Sequence, residues 1–73
     1  MTEPILNPTL TEQVERISYE TLQNNMPGLL EAVEEMMTAG VPDDQIIDMC
    51  KHSGLQDFTI LTVENAMSHI RRL

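Results

Sequence analysis

The sequence has no tryptophan, one phenylalanine and one tyrosine. Aromatic side chains bury the most surface per residue, so a core without them has to be assembled from Leu, Ile, Val, Met and Ala. A single cysteine, Cys50, excludes any disulfide within the chain and agrees with a reducing compartment. No apolar run approaches the roughly 18–20 residues of a membrane span. The opening "MTEPILNPTLTEQ" has neither a basic n-region nor an apolar h-region, so no secretory signal is read there. A cytoplasmic protein without a membrane partner is the expectation. The three glycines are isolated, and none belongs to a phosphate-cradling loop.

Basic residues are also scarce: four, against twelve acidic ones, for a net charge of −8. The imbalance is uneven. Residues 1–48 hold ten acidic side chains and one Arg; residues 49–73 hold two acidic and three basic ones. Such a surface repels phosphate backbones and lipid head groups and attracts basic protein surfaces. It also keeps a small protein soluble.

What is present is helical periodicity. Residues 1–8, "MTEPILNP", contain two prolines and no period, and read as a flexible N-terminal arm with Ile5 and Leu6 able to tuck onto the body. A first helix is signalled by Asn7 before Pro8 and by the capping box of Thr9 with Glu12. Its apolar stripe is read as Leu10, Val14, Ile17, Thr21 and Leu22, and its end as Asn24–Asn25. Pro27 opens a second helix, "PGLLEAVEEMMTA", in which Leu29, Leu30, Val33, Met36 and Met37 recur at three- and four-residue intervals. Glu31, Glu34 and Glu35 cover its other side. A third helix is read from Pro42 or Asp43 to Ser53, with acids in its first turn and Lys51 and His52 in its last. Gly40 and Gly54 sit where left-handed residues end helices. "FTILTV" taken alone would suit a strand. No second strand-like segment exists to pair with it, and Ile60, Val63, Met67 and Ile70 keep a helical stripe. A fourth helix beginning between Asp57 and Thr62 is therefore expected. The fold class is all-α: a compact bundle of four short helices, with residues 9–73 forming a single small domain behind the arm.

"GVPDDQIIDMCKHSG" has the outline of a DNA-reading helix-turn-helix. The first turn of its helix, however, presents Asp43 and Asp44 with Asp48 one turn on, and only Gln45 as a base reader; carboxylates there are repelled by phosphates. Together with "TVENAMSHIRRL", "VEEMMTAGVPDDQIIDMCKHSG" resembles in outline the three-helix ubiquitin-associated domains, which usually carry Met-Gly-Phe in the loop that binds their partner. Here that loop is Ala39-Gly40-Val41, which keeps the glycine alone, and residues 1–26 lie outside the resemblance. No binding residue is carried over.

Cys50 and His52 are two apart, so on one helix they point about 200° from each other and do not converge on an ion with His69. Cys50 shares the Ile46/Ile47 face and reads as a core residue. No base, orienting group or oxyanion loop accompanies it. No cofactor, metal or catalytic residue is assigned, and the chain is not expected to be an enzyme. Met36 and Met37 lie about 100° apart around their helix and, with Leu29, Leu30 and Val33, widen its apolar stripe beyond what one neighbouring helix covers. These five residues are the candidate protein interface. The expected function is a small acidic regulator or adaptor that binds a protein with a basic surface and self-associates as a homodimer through residues 27–39. The alternative is an acidic decoy that mimics nucleic acid in a basic groove.

Overall fold

The computed structural model describes residues 10–73. The N-terminal arm and the capping residues read at Asn7 and Thr9 lie outside the described residues. The rest is a compact all-α globule of four helices: α1 Leu10–Asn25, α2 Pro27–Thr38, α3 Asp43–His52 and α4 Asp57–Arg72. "FTILTV" is helical throughout, with Ile60 and Val63 in the core.

One residue, Met26, separates α1 from α2. Its N–H donates to the Leu22 carbonyl at 2.7 Å, and its own carbonyl accepts from Leu30 N–H at 3.1 Å. Pro27 stands at the first position of α2, where its missing N–H leaves no helical bond unmade. The ends of α2 and α3 share a device. Gly40 N–H donates to Met37 O and Val41 N–H to Met36 O; Gly54 N–H donates to Lys51 O and Leu55 N–H to Cys50 O. Each is a Schellman pair around a left-handed residue, with φ +89° at Gly40 and +86° at Gly54. A side chain is strained at such φ, which is why glycine occupies both positions.

The core consists of Leu22, Leu30, Val33, Ile46, Cys50, Ile60, Val63, Ala66 and Met67, so every helix contributes to it. The most extensive helix–helix contact joins α1 to α4. They run antiparallel, since Arg72 at the end of α4 meets Glu12 and Glu15 near the start of α1, and the Tyr19 and His69 rings lie 5.0 Å apart.

The stripe expected on α1 is corrected by this packing. Leu10, Val14 and Ile17 are exposed, at 77, 48 and 54%, as is Thr21; only Leu22 of that set is buried. α1 instead turns Glu15, Ser18 and Leu22 inward, with Tyr19 half-buried beside them. Two features allow it. Ser18 is small enough to sit in a helix–helix seam. The buried Glu15 carboxylate accepts a 2.7 Å hydrogen bond from Arg72 Nε, so its charge is answered without leaving the seam. A buried carboxylate without such a partner is strongly unfavourable.

Candidate interaction surfaces

The five residues read from α2 divide in two. Leu30 and Val33 lie in the chain's own core, where they have no surface to offer a partner. Leu29, Met36 and Met37 are half-buried, packed against that core, and keep part of their surface. Of the remaining described methionines, Met67 is buried, while Met26 and Met49 are exposed. Glu31 and Glu35 face solvent; Glu34 is half-buried and accepts a hydrogen bond from the Tyr19 hydroxyl at 3.3 Å. Burial, the negative charge of Glu34 and that hydrogen bond together push the Tyr19 phenol above its ordinary value of 10.0.

A second surface comes from the pairing of α3 with α4. An open groove of about 920 Å³ runs between them, with Ile47 and Met67 among its apolar lining. Asp44, Asp48 and Lys51 line it from α3, and Glu64, Ser68 and Arg71 from α4, so that its carboxylates outnumber its cations. The spacing on each side explains the walls: 44 and 48 are one helical turn apart on α3, and 64, 68 and 71 follow one another at a turn each on α4. At one end Arg71 bridges the groove in an ion pair with Asp43. Asp44 accepts a hydrogen bond from the Gln45 N–H at 3.0 Å. The carboxylates of Asp48 and Glu64, on opposite walls, have no partner among the described residues. This groove was not legible from periodicity, because Glu64 and Arg71 are separated in sequence from the aspartates they face.

The groups that chemistry would call on first are otherwise placed. Cys50 is buried among aliphatic side chains, and burial pushes its thiol up, away from the reactive thiolate. His52 Nδ1 donates to the Asp48 carbonyl at 2.8 Å, within its own helix. His69 packs against Tyr19. Among the described residues no group of three or more His, Cys, Asp or Glu side chains converges to hold a metal ion. Among the same residues no helix is long and apolar enough to cross a membrane. The Arg72 guanidinium, hydrogen-bonded to Glu15 and close to Glu12, is held even more firmly charged than usual.

A scan of family models finds none that matches this chain, and searches of the curated proteins and of the solved structures find no match either.

Proposed function

We propose that this chain is a small acidic protein–protein interaction module without a catalytic task, and that its partner presents a basic segment to the groove between α3 and α4. The observation that carries this reading is the pair of unanswered carboxylates, Asp48 and Glu64, on facing walls of a groove with Ile47 and Met67 in its lining. Apolar lining favours a partner side chain with an apolar stem, and walls in which Asp43, Asp44, Asp48 and Glu64 outnumber Lys51 and Arg71 favour a cationic head. Lys and Arg combine the two. The ion pair of Arg71 with Asp43 at the groove's end supplies an internal instance of a guanidinium accepted by this wall. The net charge of −8 steers such a partner at long range.

Leu29, Met36 and Met37 of α2 offer a second, apolar contact to the same kind of partner or to another copy. A nucleic-acid mimic is less well supported, because the acidic residues are concentrated before residue 49 and do not cover the molecule. The test is capture of partners from the native host with the wild-type chain and with the Asp48→Asn/Glu64→Gln variant. Both positions are exposed, so the variant keeps its fold. A specific partner is expected to bind the wild type in a salt-sensitive way and to be lost by the variant. Equal capture by both chains would contradict the groove as the site.

A further inference from the structure

We infer that the outward face of α1 is a contact surface for a second copy of this chain. Leu10, Val14 and Ile17 recur at i, i+4 and i+7, and the row continues through Thr21 to Asn24. At about 100° per residue this row is centred roughly 110° around the helix from the buried Glu15–Ser18–Leu22 face. It is a second, independent face of α1, and all three aliphatic side chains on it are exposed. Single exposed aliphatic residues are ordinary, but three in register along one helix form a seam.

Charge selects the occupant. Of the acidic residues of α1, Glu12, Glu15 and Glu20, only Glu20 flanks this row; the polar residues on the same side are Gln13 and Asn24. A partner chosen for its basic charge finds little to bind here and much in the α3–α4 groove. Two copies of a chain of net charge −8, by contrast, need a place to meet that brings few acids together. The α1 row is such a place. A twofold axis near Ile17 sets α1 antiparallel to its copy, with Ile17 beside its own equivalent and Val14 near Thr21 of the second copy. The Gln13 amide then lies where it donates to Glu20 of the second copy. The two Glu20 carboxylates are kept apart on opposite sides of the axis.

Three aliphatic residues per copy make a small contact, so the association is of the weak class, with a Kd on the order of 100 μM. Its salt response is diagnostic. Net repulsion between the copies is screened by salt while the apolar seam is not, so the dimer tightens as ionic strength rises. A groove-bound basic partner responds in the opposite sense, and the two proposals fail separately.

Sedimentation equilibrium of the full chain, from about 20 μM to 1 mM and at two salt concentrations, reads this out by mass action. The expected result is a monomer–dimer equilibrium that strengthens with salt and is abolished by Ile17→Glu. Because Ile17 is exposed, that variant should keep the wild-type helical signal and melt at low concentration. Gln13→Glu should weaken the dimer several-fold by opposing Glu20 of the second copy, and Gln13→Lys should strengthen it. A monomer throughout that range at high salt would overturn the inference. So would a dimer that survives Ile17→Glu and is lost in Met37→Glu, since it would place the contact on α2.

Discussion

Ile46 and Ile17 are the same side chain on two helices, and the fold gives them opposite fates. Ile46 is fully buried at the α3 contribution to the core; Ile17 is about half exposed on the outer face of α1. Truncating a buried Ile to Ala removes transfer free energy and leaves a cavity, typically 2–5 kcal/mol in all. Since Ile46 is enclosed on every side, a cost of about 3–4 kcal/mol is expected. Ile17→Ala loses a partial contact but gains the better helix propensity of Ala, so it should fall within about 0.5 kcal/mol of the wild type. Equilibrium urea unfolding followed by circular dichroism measures both. For a chain this small an m-value of about 1 kcal/mol/M is expected, so Ile46→Ala should move the midpoint by roughly 3 M. A domain of this size has little stability in reserve. Should Ile46→Ala not fold, Ile46→Val at about 1 kcal/mol keeps the comparison measurable. The measurement belongs at low micromolar concentration, where self-association makes no contribution. Equal losses at the two positions, or the larger loss at Ile17, would refute the placement of the core derived above.

Gly40→Ala and Gly54→Ala should each destabilise by about 1 kcal/mol or more, because both positions need positive φ. Gly28→Ala, in the first turn of α2 with open space around it, should be neutral or slightly stabilising under the same urea assay. Cys50 should resist thiol reagents until the chain unfolds, and Cys50→Ala should cost about 1 kcal/mol without affecting partner binding; fast labelling of the folded chain would contradict its burial. Tyr19 should ionise at higher pH in the folded chain than in urea, as followed by phenolate absorbance. Because the folded value is raised, the associated stability is intact below pH 10.0 and is lost as pH rises through the folded value. Glu34→Gln should move the folded midpoint down, and no movement would remove Glu34 as a cause. No duplex DNA binding is expected at about 150 mM salt, given the carboxylates on the first turns of α3; a salt-dependent gel shift at micromolar concentration would overturn that expectation.

The helix boundaries were largely legible in the sequence because their signals are local. Pro27, Gly40 and Gly54 fall within a residue or two of the observed ends, and the Gly54–Leu55 pair closes α3 through the expected backbone bonds. Local signals also placed Ile46, Cys50, Ile60, Val63 and Met67 on inward-facing stripes, whereas Leu30 and Val33, read as part of an interface, are buried in the core. The face of α1 was not legible. Apolar periodicity pointed to Leu10, Val14 and Ile17, yet the buried seam contains a glutamate and a serine. What makes Glu15 tolerable there is Arg72, a partner 57 residues away, and periodicity within a window of one helix cannot register it. The α3–α4 groove was hidden for the same reason. Asp48 and Glu64 each read as solvated charge, and only the docking of the two helices sets them on facing walls. The α2 residues were correctly recognised as apolar, but how much of each is left over after the core is filled depends on where α4 and α3 pack.

The proposed seat of partner recognition is the α3–α4 groove. Its most direct test is the affinity of a captured host protein for the wild-type chain and for Asp48→Asn/Glu64→Gln, measured by calorimetry at two salt concentrations. The variant is expected to lose about tenfold or more in affinity, a change of roughly 1.4 kcal/mol, and wild-type binding to weaken as salt rises. An affinity unchanged by the double substitution and insensitive to salt would contradict it.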